Sequence, residues 1–212
     1  MSFDKSQQKI ALVLFIVALV SGSLLAWVDQ LTQSPIAQAQ RDFLHRSIKQ
    51  VLPEHANDAV KGMFLFPVAG HDDMQIFPAR NKKGDVIAYA WEQVAPDGYA
   101  GSIRILMGVR VSGEVVAIRV TSHQETPGLG DGIVRNTAWL RAFAGKSLNN
   151  SQWAVKKDGG DFDQFTGATI TPRAVVKAVH QGLLFYKANQ AALLKKAHSA
   201  SAQTEQVEGG QP

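Results

Sequence analysis

The sequence predicts an α+β protein, in which a single N-terminal transmembrane helix precedes one domain with a mainly antiparallel sheet and flanking helices. Three observations predict this class. An uncharged apolar run covers residues 10–28, short β-prone runs follow one another between residues 63 and 122, and helical apolar patterns flank those runs. The 212 residues are enough for one ordinary domain and an anchor.

The composition is that of a globular chain, with 45% hydrophobic and 19% charged residues. There is no cysteine, which excludes disulfides, cysteine-ligated zinc, iron–sulfur clusters and thiol chemistry. Any redox function must therefore come from an added cofactor. The net charge is +4, but the basic residues are scattered and form no dense run, so we expect no nucleic-acid partner.

The apolar run at residues 10–28 is long enough for a membrane span, because about 20 helical residues cross the hydrocarbon core. Trp27 lies at its end, where an interfacial aromatic is favoured. A cleaved signal peptide is the alternative, since Ala37-Gln38-Ala39 has a small-x-small pattern. That tripeptide lies far beyond an apolar run that is long for a signal, so a retained anchor is favoured.

The charges flanking this span predict its orientation. Lys5 and Lys9 precede it, Asp29 follows it, and the next basic residue is Arg41. Positive charge is retained on the cytoplasmic side, so residues 1–9 are expected in the cytoplasm. The chain after the span is then periplasmic, and the protein is a single-pass protein of the bacterial inner membrane.

Residues 29–62 are expected to form a stalk that docks on the domain. Within it, residues 34–52 read as a separate helix with Ser34 as cap, Pro35 in the first turn and Pro53 after its end. Its apolar positions fall on one face: Ile36, Phe43, Leu44, Ile48, Val51 and Leu52.

Residues 63–198 are expected to form the main domain. Its strand candidates are residues 63–69, 74–79, 86–94, 102–111 and 114–122. A tight hairpin at residues 111–114 joins the last two, and alternation in the fourth run predicts one face more buried than the other. The remaining predictions are a glycine-rich loop at 123–132, a helix at 137–144 capped by Asn136, a final helix at 172–197 and a disordered tail at 199–212.

Three threonines lie close to the start of the final helix. Thr171 precedes Pro172 and is the natural N-cap, a role that contributes roughly 1 kcal/mol. Thr169 follows Gly167-Ala168, where a ligand can approach the backbone and where the helix start favours an anion such as phosphate. An ordinary turn explains the same residues, so this signal alone is weak.

The loop at residues 123–131 is the second candidate element. Its proline and glycines permit close approach of the backbone to a flat ring or a phosphate. An ordinary surface loop has the same composition, and composition alone favours it.

Residues 163–169, DQFTGAT, match the signature Asp-x-x-(Ser/Thr)-Gly-Ala-(Thr/Ser) at every fixed position. The chain resembles the periplasmic domains that carry covalent FMN, and in particular the G subunits of Rnf (also called Rsx) ion-translocating electron-transport complexes. The C subunit of the sodium-pumping NADH:quinone reductase shares the motif but is usually longer. The resemblance also includes APDGYAGSIRILMGV (95–109), HQETPGLGD (123–131) and residues 153–176.

The resemblance implies one FMN per chain, joined by a phosphoester to Thr169. It implies a separate periplasmic flavin transferase, which uses FAD and magnesium, so Thr169 is an acceptor and the chain holds no catalytic residue and no metal. Asp163 would orient the loop or assist the transferase. The other implied cofactor-binding residues are Thr166, Gly167, Ala168, Thr171, Glu125, Thr126, Gly128, Leu129 and Gly130.

Several neighbouring residues have two interpretations each. Tyr99, Trp139 and Trp153 could stack on a flavin, although a place in the buried core is favoured. His123 is either a proton donor or a loop histidine with its hydrogen bonds satisfied. Lys156 and Lys157 either neutralise a phosphate or form a solvated pair.

The resemblance implies a redox subunit that relays electrons with other membrane and peripheral subunits of the complex and is not a complete enzyme alone. The alternative is a membrane-anchored, non-redox module that binds a phosphorylated ligand noncovalently or serves as a scaffold. Covalent flavin on the denatured chain distinguishes the two.

Overall fold

Helix α1 runs from Lys5 to Val51 in the computed structural model, which describes residues 5–68, 70 and 72–208. The sequence predicted two helices here, with Ser34 and Pro35 beginning the second. That prediction is wrong, because Pro35 lies inside one continuous helix. The lost backbone hydrogen bond is tolerated among glutamine and alanine neighbours of high helix propensity.

The chain divides into two compact units, and the boundary lies within α1 between Leu44 and His45. The first unit exposes its apolar side chains throughout the predicted span; Phe15, for example, is 63% exposed. The segment Gln8–Val51 contains an 18-residue window of mean hydropathy 2.5, none of it buried. By length and composition this helix can cross a membrane.

The second unit is built on a five-stranded antiparallel sheet in which every strand pairs with the next along the chain. The strands are β1 (Phe64–Phe66), β2 (Met74–Arg80), β3 (Val86–Ala95), β4 (Ile103–Arg110) and β5 (Val115–Ser122). The five predicted runs and the antiparallel arrangement are therefore confirmed. The hairpin after β4 closes with Arg110 N–H donating to Glu114 O at 2.8 Å.

The short helices after the sheet are α2 (Gly132–Arg135) and α3 (Thr137–Arg141), and a 3₁₀ turn lies at Lys156–Asp158. Asn136 caps α3 as predicted, since its side chain accepts from Trp139 N–H at 3.0 Å. A long connection that includes this 3₁₀ turn leads from α3 to the last helix.

Helix α4 (Ile170–Glu208) packs across one face of the sheet. Its buried side chains include Val175, Val179, Leu183 and Tyr186, which lie in the same core as Trp91 and Met107. The helix begins two residues earlier than predicted. It also extends through residues 199–208, which were predicted to be disordered; extending a formed helix costs less than starting one, and these residues include no proline. Residues 209–212 lie outside the described residues.

The last turns of α1 cover the opposite face of the sheet. Ile48, Val51 and Leu52 are buried, whereas Ile36 and Phe43 of the predicted docking face are exposed. A Cβ on Gly108 of β4 would lie 1.8 Å from Val51 O, so only glycine allows this approach. The packing of Val51 over Gly108 explains why both faces of β4 are largely buried.

Candidate functional site

A pocket of about 200 Å³ lies where the turn before β4, the loop after β5 and the start of α4 meet. It brings together the two sequence segments singled out above, which are separated by some 40 positions in the chain. Its lining residues are Tyr99, Glu125, Thr126, Leu129, Gly130, Gly167, Ala168, Thr169, Ile170 and Thr171.

A tight turn at residues 165–168 leads into the pocket. Ala168 N–H donates to Phe165 O at 3.1 Å, and Gly167 at the third position has φ +79°. A positive φ at the third position is the requirement of a type II turn and favours glycine. The Gly167 of the motif is therefore needed for backbone conformation, and Thr166 occupies the exposed second position.

Aromatic packing anchors the start of this segment. Trp139 Nε1 donates to Asp163 O at 2.7 Å, and the Trp139 and Phe165 rings have centroids 5.2 Å apart. A Cβ on Gly132 would lie 2.9 Å from the Phe165 ring, so the ring fits closely over the start of α2. Trp139 thus belongs to the core, as favoured from the sequence, and its indole N–H fixes the motif backbone.

Thr169 is half-buried and immediately precedes α4. Its carbonyl accepts from Arg173 N–H at 3.3 Å, which is the first i to i−4 bond of the helix. Among the described residues, no hydrogen bond holds the Thr169 hydroxyl. Pro172 is tolerated in the first turn because an N–H there has no partner within the helix.

Thr171 is not the N-cap that the sequence predicted. It lies inside the first turn, is fully buried, and its hydroxyl donates to Glu125 Oε2. The local pattern of threonine before proline misled the prediction, because the partner that determines the role of Thr171 lies 46 residues earlier in the chain.

Glu125 is a buried carboxylate with 4% of its surface exposed. Its Oε1 accepts from Ala100 N–H at 3.1 Å, and its Oε2 accepts from the Thr171 hydroxyl. Burial of a carboxylate is costly unless hydrogen bonds compensate. Here both oxygens are engaged, so Glu125 joins the turn before β4 to the first turn of α4.

The loop after Glu125 is folded on itself. The N–H groups of Leu129 and Gly130 donate to Thr126 O at 3.2 and 3.1 Å, and Gly128 N–H donates to Asp131 Oδ1 at 2.8 Å. Gly128 has φ +80°. These bonds leave Leu129 half exposed on the pocket rim and turn Gly128 away from the lining.

Two ion pairs lie near the motif. Lys156 Nζ lies 2.7 Å from Asp163 Oδ1 on the surface, so each of the two is the other's partner. Arg173 donates to both carboxylate oxygens of Asp158, at 2.6 and 3.0 Å, and this hydrogen bonding lowers the pKa of Asp158 below its usual value.

His123 also has a partner, since its Nδ1 accepts from Glu125 N–H at 3.1 Å, and it does not line the pocket. Trp153 packs on the core with its ring stacked on His180. Both residues therefore have the structural roles that the sequence favoured.

Eight of the eleven predicted site residues line the pocket, and Asp163, Thr166 and Gly128 do not. Tyr99 also lines it and is exposed, so the place in the buried core that the sequence favoured for this residue is wrong, and Ile170 lines it without having been considered. For Tyr99 the available signal was its position between two glycines, Gly98 and Gly101; for Ile170 there was no signal, because its place depends on where α4 begins.

Comparison with known proteins identifies the family. The FMN-binding domain matches residues 98–184, and the N-terminal region of RnfG matches residues 1–51. The G subunit of the ion-translocating oxidoreductase complex from Pseudomonas aeruginosa is 42% identical over 205 residues, covering 92% of this chain and 96% of the relative. The corresponding protein from Vibrio atlanticus is 44% identical over 195 residues, covering 88% and 93%.

The chain belongs to the RnfG family, the G subunits of ion-translocating oxidoreductase complexes. A crystal structure of Shewanella oneidensis NqrC is also similar, with a TM-score of 0.43, 23% identity, and coverage of 51% of this chain and 54% of that one. As a member of the RnfG family, the chain is a redox subunit, and its FMN-binding domain begins at Gly98 and so includes the whole pocket.

Proposed function

We propose that this chain relays electrons within an ion-translocating membrane complex through one FMN joined by a phosphoester to Thr169. The observation that carries the proposal is the pocket, in which Thr169 lies beside the loop residues Glu125, Thr126, Leu129 and Gly130. The FMN-binding domain match over residues 98–184 supports the identity of the cofactor.

The position of Thr169 suits a phosphorylated group. It precedes the first turn of a long helix, where the dipole favours an anion, and a phosphodiester retains one negative charge. Gly167 leaves space on the pocket side, since a Cβ there would meet only Leu129 Cδ2 at 3.7 Å. The residues present therefore fit the terminal phosphate of FMN.

The small size of the pocket gives a reason for a covalent link. Pockets that bury a drug-sized ligand usually have volumes of about 300–1,000 Å³. A pocket of about 200 Å³ encloses only part of a nucleotide-sized molecule. Because partial burial stabilises a complex weakly, an ester to Thr169 retains the cofactor where no flavin pool would replace it.

The attachment step needs a second protein, because a threonine hydroxyl is a weak nucleophile. We propose a periplasmic flavin transferase that uses FAD and magnesium. Thr169 Oγ forms the bond to the FMN phosphorus, the pyrophosphate bond of FAD breaks, AMP leaves and the hydroxyl proton passes to solvent. Within this chain, Thr169 is the acceptor, and Thr166, Gly167 and Ala168 hold it at the pocket.

Bound flavin would supply one- and two-electron chemistry that no residue of this chain supplies. The chain's residues hold the ring at a fixed place and leave part of it accessible to redox partners, which we propose are other membrane and peripheral subunits of the complex. The apolar helix would anchor the chain in the inner membrane with the domain in the periplasm.

The test is covalent flavin on the denatured chain. The full chain is coexpressed with the flavin transferase, separated on a denaturing gel and viewed under ultraviolet light. We expect a fluorescent band for the native chain and for Thr169→Ser, which keeps the hydroxyl, and none for Thr169→Ala.

Thr137→Ala is the matched control, because Thr137 is an exposed threonine of the same domain that lies outside the motif and outside the pocket lining. It should keep the band. A band that persists in Thr169→Ala would move the ester to another residue, and absence of a band from the native chain would favour a noncovalent module.

A further inference from the structure

Tyr99 is an exposed aromatic residue at the rim of the pocket. Its exposed fraction is 69%, whereas Tyr89, Trp91, Trp139 and Tyr186 of the same unit are at most 4% exposed. Among the described residues, no other aromatic ring packs on it. An exposed aromatic side chain beside a ligand pocket presents a flat apolar surface that is available to a ligand.

The turn that carries Tyr99 is held rigidly. A Cβ on Gly98 would lie 2.1 Å from Gly101 O and 2.9 Å from Glu125 Oε1, so the backbone closes on itself and on the buried carboxylate. Ala100 N–H donates to Glu125 Oε1 at 3.1 Å. Tyr99 therefore stands on a fixed backbone even though its side chain is exposed.

The same carboxylate fixes the acceptor side of the pocket. Glu125 Oε2 accepts from the Thr171 hydroxyl, two residues beyond Thr169. A Cβ on Gly130 would lie 2.7 Å from Glu125 Oε2, so the loop is also packed against this group. Glu125 thus connects the Tyr99 turn, the loop and the start of α4 through one buried side chain.

We propose that Tyr99 forms one wall of the binding site for the isoalloxazine ring. Glu125 fixes the position of the Tyr99 turn relative to Thr169. The inference rests on the proposed attachment of FMN at Thr169. It assigns Glu125 a positioning role, because both of its oxygens are engaged by the chain, in place of the cofactor contact expected from the sequence.

The occupant of this wall follows from three features of the pocket. Tyr99, Leu129 and Ile170 give the rim three exposed apolar side chains, which suit a flat aromatic ring. The anion position at Thr169 lies in the same pocket, so a tethered flavin has its ring within reach of the rim. The FMN-binding domain match begins at Gly98 and includes Tyr99.

The test measures how much of the ring iodide can reach. The full chain is coexpressed with the flavin transferase and purified in detergent, and the iodide quenching of its covalent flavin fluorescence is recorded. In Tyr99→Ala the iodide quenching constant should rise about twofold, because the ring face that Tyr99 covers becomes accessible in addition to the face already open to solvent. Tyr99→Phe keeps an aromatic wall and should quench like the native chain.

Leu65→Ala is the control for an exposed apolar side chain on β1, outside the pocket, and should leave quenching unchanged. Thr171→Val removes one hydrogen bond from Glu125 without removing Tyr99. It should raise quenching, and Thr171→Ser, which keeps the hydroxyl, should restore the native value. A loss of stability alone would not reproduce this pattern.

The amount of covalent flavin per chain, measured by mass spectrometry, separates the two proposals. A native chain without flavin overturns the proposed function. Flavin-loaded Tyr99→Ala with native iodide quenching overturns the assignment of Tyr99. Native quenching in flavin-loaded Thr171→Val overturns the role of Glu125. Should Tyr99→Ala not accumulate, the same comparison is made with Tyr99→Leu, which retains bulk but not the flat ring.

Discussion

At the scale of single residues, the site depends on a few positions at which only one side chain fits. Glycine is required at residue 167 by a positive φ and at residue 98 by close backbone approach. Glu125 is required because its two oxygens have partners on different segments. In the signature at 163–169, Gly167 therefore has a conformational role next to Thr169, the proposed acceptor.

Gly167→Ala tests this division of roles against Gly128→Ala. Both glycines have nearly the same φ, +79° and +80°, and neither lacks space for a Cβ. Each substitution should therefore destabilise the domain by roughly 1–2 kcal/mol through the left-handed backbone alone, measured as a fall in the thermal unfolding midpoint. Only Gly167→Ala should also reduce covalent flavin, because its turn presents Thr169.

Equal flavin loading in these two glycine variants would contradict that view. It would mean that the acceptor turn tolerates a changed conformation, and that the glycine of the motif serves the general stability of the domain.

At the scale of elements, the two faces of the sheet are covered in different ways. Helix α4 lies on one face and directly follows Thr169, the proposed acceptor, whereas the last turns of α1 lie on the other face. Each contact passes over a glycine: Gly182 of α4 faces Met107, and Gly108 of β4 faces Val51. The helices approach the sheet closely at these two positions.

Gly108→Ala and Gly182→Ala should have different costs. A Cβ at residue 108 would lie 1.8 Å from a backbone oxygen, which no rotamer change relieves. We expect a loss of about 1–3 kcal/mol in unfolding free energy, as for other overpacked cores. A Cβ at residue 182 would meet the flexible Met107 sulfur, and alanine is the better helix former by about 1 kcal/mol, so the net change should be small.

Chemical denaturation of the two variants gives the comparison. A neutral Gly108→Ala would show that the end of α1 is displaced from β4 at little cost, and that its docking contributes little to the domain.

The elements that were predictable from the sequence are those with local causes. The strands follow from β-prone runs, and the cap at Asn136 follows from the residue itself. The start of α4 was misjudged because Thr171 bonds to a carboxylate far away in the chain. Tyr99 was wrongly expected in the buried core for the same reason, since its place at the pocket rim depends on Glu125. Side-chain pairs between distant segments leave no mark in a local pattern.

At the scale of the whole molecule, the chain combines a helix suited to lipid with a domain suited to water. The helix exposes leucine, isoleucine, valine and phenylalanine side chains over the predicted span, and the second unit buries the same residue types in one core. Such a helix is stable only where its apolar surface is covered. We expect charge to determine the side of the membrane on which the domain lies, because Lys5 and Lys9 precede the span and Asp29 follows it.

This orientation can be tested directly, because the chain has no cysteine and a single introduced thiol is unambiguous. Ser112→Cys places a thiol on the exposed hairpin after β4, and Ser6→Cys places one before the span. In cells with a permeabilised outer membrane, a membrane-impermeant maleimide should label Ser112→Cys at once. It should label Ser6→Cys only after detergent, since positive charge holds that end in the cytoplasm. The cysteine-free native chain is the control, and the opposite labelling pattern would put the domain, and with it the flavin, in the cytoplasm.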